Sequence, residues 1–97
     1  MECLIKGEFQ LKRIYQGKEN VFHTLEEFGK EYPLRIQLAG AKPLFKDVLD
    51  KDVIRIEANA DMREFVKQGS RNTVFYVSDL QYEVFTVNLT SKKGGDK

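Results

Sequence analysis

Leu34-Arg35-Ile36-Gln37-Leu38-Ala39-Gly40 and Val53-Ile54-Arg55-Ile56-Glu57-Ala58 are the two segments on which the fold turns. In the first, Leu34, Ile36 and Leu38 alternate with Arg35 and Gln37; in the second, Ile54, Ile56 and Ala58 alternate with Arg55 and Glu57. A period of two marks a strand with one buried face and one wet face. Between the segments, Gly40 closes the first strand and Pro43 suits a first helical position. Leu44, Phe45, Val48 and Leu49 then share one side, with Lys46, Asp47 and Asp50 on the other. That spacing predicts a short amphipathic helix.

Residues 3–15 read as a long first strand, with Cys3, Ile5, Gly7, Phe9 and Leu11 at alternate positions and only Leu4 breaking the pattern. Gly7 in mid-strand predicts a bend or a bulge, and the phase slips at Arg13 and Ile14. A turn cluster, Gln16-Gly17-Lys18-Glu19-Asn20, follows. Residues 21–28 read either as a second strand, the favoured reading, or as a short helix capped by Thr24 with Glu27 at its third position. Gly29 to Pro33 form a turn. Residues 59–72 read as a long hairpin connection whose turn is marked by Gly69-Ser70. Residues 73–87, rich in Val, Phe, Tyr and Thr, form the last strand, with Asp79 marking a bulge.

The expected fold is therefore all-β with one short helix between strands three and four. Five strands in this order form the barrel of the oligonucleotide/oligosaccharide-binding type, the OB-fold. An open α+β sheet built from the same elements is the alternative. Residues 1–89 make a single domain, and residues 90–97, beginning just before Ser91-Lys92-Lys93-Gly94-Gly95, make a flexible tail.

The run from Leu34 to Gly40, the segment ending Val48-Leu49, the turn Asp50-Lys51-Asp52 and the strand from Val53 resemble bacterial single-stranded DNA-binding proteins. Glu31-Tyr32-Pro33, Arg63-Glu64-Phe65 and Asp79-Leu80 resemble small OB-fold relatives in bacteria and their phages. The resemblance covers mainly residues 31–85. It implies a sequence-tolerant single-stranded DNA-binding protein of replication or recombination. RNA is the variant ligand, because the same stacking serves both, and a homo-oligomer is expected, because one barrel offers a track of only ~4–16 nucleotides. Two features depart from that family, which stacks bases on tryptophan and carries an acidic tail. This chain has no Trp and ends Lys92-Lys93-Gly94-Gly95-Asp96-Lys97.

The length of 97 residues suits one domain that buries roughly 60–70% of its unfolded surface. Sixteen Lys and Arg against 15 Asp and Glu leave a net charge of +1, which argues against an overall basic footprint. Binding to phosphate then requires segregation of charge onto one face. The lone Cys3 excludes an internal disulfide framework and points to a reducing compartment. No apolar run reaches the roughly 20 residues of a membrane span, and Met1-Glu2-Cys3-Leu4-Ile5-Lys6 does not read as a secretory leader. The expected location is the bacterial or host-cell cytoplasm. One His, one Cys and the absence of a phosphate loop give catalysis no footing. Glu26-Glu27 and Asp47/Asp50/Asp52 lack metal-site spacing and read as solvated faces. No cofactor, metal, small-molecule substrate or membrane partner is expected.

Sequence-tolerant binding of a single strand needs flat π-faces for the bases and cations along the backbone. Arg63, Phe65, Lys67 and Arg71 interleave both kinds in the hairpin connection. Arg35, Gln37 and Arg55 project from strands whose other faces read as buried, and Tyr32 precedes the third strand. Lys12, Arg13 and Tyr15 form a smaller cluster at the first turn. Each of these also has a plain structural reading, as a solvated strand face or as a ring folded back onto the barrel. The non-enzymatic alternative is a protein-interaction module that adds a partner's strand to an exposed edge.

Overall fold

The computed structural model describes residues 1–49 and 51–85. Five strands form a closed barrel: β1 (Glu2–Gln16), β2 (Val21–Glu27), β3 (Arg35–Gly40), β4 (Val53–Lys67) and β5 (Ser70–Phe85). Their order around the barrel is β1-β2-β3-β5-β4, with β4 returning to β1. All pairs are antiparallel except β3 with β5, which run parallel through Leu38↔Phe75 and Ala39↔Tyr76. This is the order of the OB-type barrel, so the open α+β sheet is excluded. The expected tail and the boundary at residue 89 lie outside the described residues.

The long first strand is what closes the sheet. It pairs with β4 through Glu2↔Asp61 to Gln10↔Val53, and with β2 through Phe9↔Glu27 to Gln16↔Val21. The slip of phase read at Arg13 and Ile14 is a bulge at Lys12, where the register shifts between Leu11 and Arg13. Gly7 carries no bulge, for Lys6↔Glu57, Gly7↔Ile56 and Glu8↔Arg55 follow one another without a shift. A Cβ at Gly7 would lie 3.0 Å from Cε2 of Phe9, so the missing side chain makes room for that ring.

Inward positions meet as Phe9, Leu11, Leu25, Leu38, Phe45, Ile54 and Ile56, the buried centre of the barrel. Each such side chain contributes roughly 1.5–3 kcal/mol by leaving water. The alternation in β1, β3 and β4 places Phe9, Leu11, Leu38, Ile54 and Ile56 inside, β2 adds Leu25 and the β3–β4 connection adds Phe45. Residues 21–28 follow the strand reading, and β2 buries Val21, His23 and Leu25 on one face.

Two expectations are corrected. No helix forms among residues 41–49. Their backbone N–H groups find partners outside any helical ladder: Leu44 donates to Nε2 of His23 at 3.1 Å, Lys46 to the Tyr82 hydroxyl at 3.2 Å and Leu49 to Oδ2 of Asp52 at 3.1 Å. Asp47 adopts a φ of 56°, which a right-handed helix excludes. Phe45 still plugs the barrel, whereas Leu49 is exposed. The second correction concerns residues 59–72, which form no loop. They extend β4 and β5 as a continuous ladder to Lys67↔Ser70. The turn falls at Gln68 (φ 52°) and Gly69 (φ 82°), the two positive φ values of a type I′ turn. The bulge expected near Asp79 is present: Asn59 faces Asp79 and Ala60 faces Val77, which leaves Ser78 as the extra residue.

Beyond the last pairs with β1 and β3, residues 62–74 continue as a two-stranded ribbon. The molecule is accordingly elongated, 50 × 26 × 24 Å.

Candidate nucleic-acid interface

Cross-strand partners lie on the same face of a sheet, so the registers alone define rows across the outside of the barrel. One row runs over all five strands: Tyr15↔Phe22, Phe22↔Ala39, Ala39↔Tyr76 and Tyr76↔Asp61. Tyr15 and Phe22 stand 6.1 Å apart between ring centroids, tilted by 33°. Ala39 is fully covered in the middle of the row. At the far end the Phe65 ring meets Tyr76 edge-on at 6.5 Å, and the Arg63 guanidinium lies 5.1 Å from the centre of the Tyr76 ring. With strands about 4.8 Å apart, β1 to β5 spans roughly 15 Å.

Two further rows run beside this one on β1, β2 and β3. Arg13, Thr24 and Gln37 form the first. Gln10, Glu26 and Arg35 form the second, with Lys12 inserted by the bulge. The outer face of these three strands thus grades from aromatic through polar to charged.

Glu26 holds two cations of the charged row. Nε of Arg35 donates to its carboxylate at 2.8 Å, and Nζ of Lys12 lies 4.0 Å away. On the ribbon, Nε of Arg63 donates to Asp61 at 2.9 Å, and Arg71 is 3.8 Å from Glu64. The N-terminal ammonium and Arg63 hold the Asp61 carboxyl below its ordinary value. Arg13 makes no ion pair among the described residues.

The structure therefore groups Lys12, Arg13, Tyr15, Arg35 and Gln37 on one face, and sets Arg63 and Phe65 at its far end. Tyr32, 86% exposed, stands in the loop that leads into β3 beside Arg35. Arg71 lies farther along the ribbon, opposite Val66. Lys67 is the last residue of β4, and its side chain lies outside the described residues. Arg55 is on the β1–β4–β5 side, where it donates twice to Glu8, at 2.9 and 3.1 Å, and covers the Phe85 ring at 4.8 Å. Its groove of about 420 Å³ is lined also by Glu57 and Glu83.

Sequence reasoning missed Phe22, Ala39, Tyr76, Glu26 and Asp61 as members of the face. The first carried a usable signal: Tyr15 and Phe22 stand equally far from the centre of the 17–20 turn, so any hairpin there pairs them. Tyr76 enters the row only through the parallel contact with β3.

No protein-family model matches the chain, and no curated protein matches it significantly. Among solved structures, the chain is similar to the crystal structure of a mitochondrial single-stranded DNA-binding protein from S. cerevisiae. The TM-score is 0.54 at 13% identity, over 84% of this chain and 93% of that one. At this identity the likeness is one of fold.

Proposed function

We propose that the protein binds single-stranded nucleic acid, DNA foremost, without sequence preference, by stacking bases on its aromatic row and setting phosphates against the cations beside it. The observation that carries this reading is the continuous outer row of Tyr15, Phe22, Ala39 and Tyr76, extended by Phe65 and Arg63. Tyr15 is exposed and Phe22 and Tyr76 are half-buried, so these rings keep surface open to solvent, and each base stacked on such a ring gains about 1–3 kcal/mol. The fold likeness to a protein described as single-stranded DNA-binding supports the same reading. The role we assign is protection of transient single strands in replication or recombination in the cytoplasm. One barrel offers only ~4–16 nucleotides of track, which favours several copies on one strand.

The test is fluorescence anisotropy of labelled oligo-dT titrated with protein at low and high salt, beside a matched duplex. The expected result is preferential binding of the single strand that weakens as salt rises. Equal affinity for duplex and single strand would overturn the reading. Competition with a matched RNA oligomer decides between the two nucleic acids, because nothing on the face distinguishes a 2′-hydroxyl.

A further inference from the structure

Three cations of the proposed face, Lys12, Arg35 and Arg63, are already answered by carboxylates, and Arg13 is not. Glu26 stands at the middle of the charged row, on β2, with Lys12 from β1 on one side and Arg35 from β3 on the other. Its side chain is only 22% exposed, whereas that of Arg35 is 67% exposed. The carboxylate makes no hydrogen bond to the backbone among the described residues, unlike its neighbour Glu27, whose Oε1 accepts from the Leu34 N–H at 2.9 Å. Glu27 thus secures a loop, whereas the polar partners of the Glu26 side chain among the described residues are these two cations. Asp61 stands in the same relation to Arg63 at the other end of the aromatic row.

A phosphate approaching Arg35 or Lys12 must displace Glu26 or share the cation with it. The pair, whose Arg35 end is open to solvent, is weak, on the order of 0–1 kcal/mol, so displacement is feasible, but the carboxylate then faces the phosphate as a like charge. Duplex and single strand do not bear this equally. A duplex presents one charge per ~1.7 Å and keeps its bases stacked internally, so it has only phosphate contacts to offer. A single strand presents fewer charges and free base faces, which the aromatic row can take.

We infer that Glu26 is a specificity-determining residue: it masks Arg35 and Lys12 so that a ligand must stack on the aromatic row to bind, and it thereby selects single strands against duplex. The inference rests on the single-strand reading above. Glu26 lowers affinity for every polyanion, and it lowers duplex affinity most.

The experiment measures oligo-dT and duplex affinities, each at several salt concentrations, for the wild type, Glu26→Gln and Glu57→Gln. Glutamine keeps an oxygen to accept from Arg35, and thermal melting confirms that the variant folds. Glu57, on the β1–β4–β5 side 3.8 Å from Lys6, makes the same change of net charge away from the face. Glu26→Gln is expected to raise duplex affinity roughly tenfold and oligo-dT affinity no more than about threefold. Its duplex salt slope should steepen by about 0.9 for each further phosphate that the freed cations neutralise. Glu57→Gln should leave the ratio of the two affinities unchanged. Equal gains for both ligands, or the same gain from Glu57→Gln, would overturn the inference and leave single-strand binding standing. A wild type that fails to hold oligo-dT would instead sink the single-strand reading, and the inference with it.

Discussion

Leu44 donates its backbone N–H to Nε2 of His23 at 3.1 Å, which ties the β3–β4 connection to the inside of β2. Because Nε2 accepts, the proton of the neutral ring sits on Nδ1, which donates to the Leu38 carbonyl at 3.2 Å. The ring is completely buried and meets Phe45 edge-on at 5.6 Å. Burial is the main cause that lowers its pKa from the ordinary 6.5, against smaller opposing contributions from the Leu38 and Val21 backbone. Below pH 6.5 the unfolded chain takes up a proton that the folded ring resists. The stability from neutral His23 is therefore complete above that pH and is lost as pH falls towards the depressed folded value. The urea midpoint should drop between pH 7 and pH 5.5, and His23→Gln should flatten that slope while losing about 1–3 kcal/mol at pH 7. A wild-type midpoint independent of pH over this interval would contradict the bond scheme.

Gln68 holds a φ of 52° at the first central position of the ribbon turn, a conformation that disfavours a long side chain. Asparagine tolerates it far better, and Asn-Gly is the preferred type I′ pair. Gln68→Asn should stabilise the protein by about 0.5–1 kcal/mol in thermal melting. Gly69→Val, a β-branched residue forced to a φ of 82°, should destabilise it by about 1–3 kcal/mol.

Arg55 and Arg13 separate the two sides of the barrel. Arg55 is bound to Glu8 and covers Phe85, away from the aromatic row. Arg13 lies one row from Tyr15 and Phe22 and has no ion pair among the described residues. Arg13→Ala should weaken oligo-dT binding roughly three- to tenfold and reduce the magnitude of the salt slope by about 0.7. Arg55→Ala should change it less than twofold. The reverse ranking would place the ligand on the β1–β4–β5 side.

The barrel was legible because β3, the first half of β4 and most of β1 alternate, and because Leu11 to Ile14 record a change of phase, which is the bulge at Lys12. The missing helix was not legible. Leu44, Phe45 and Val48 do turn inward, but the N–H groups of Leu44 and Lys46 bond to His23 and Tyr82, partners distant in sequence, and Leu49 closes a local turn with Asp52. The ribbon was hidden by its charges: Arg63, Glu64 and Arg71 resemble a solvated loop until their pairing across two strands is seen. The proposed binding face was half legible. Tyr15, Arg13, Arg35 and Gln37 follow from strand phase, whereas Tyr76 depends on the parallel contact of β3 with β5, which leaves no local mark in the sequence.

In the proposed complex the aromatic row carries the binding, and Tyr76 stands at its junction with the ribbon. The most direct measurement is the oligo-dT dissociation constant of Phe22→Ala and Tyr76→Ala beside the wild type, at a salt concentration where the wild type is half saturated. Each variant should lose about 1–3 kcal/mol, roughly five- to 150-fold in affinity, with the salt slope nearly unchanged because stacking and not phosphate contact is removed. Folded variants that bind oligo-dT as tightly as the wild type would show that the bases do not stack on this row.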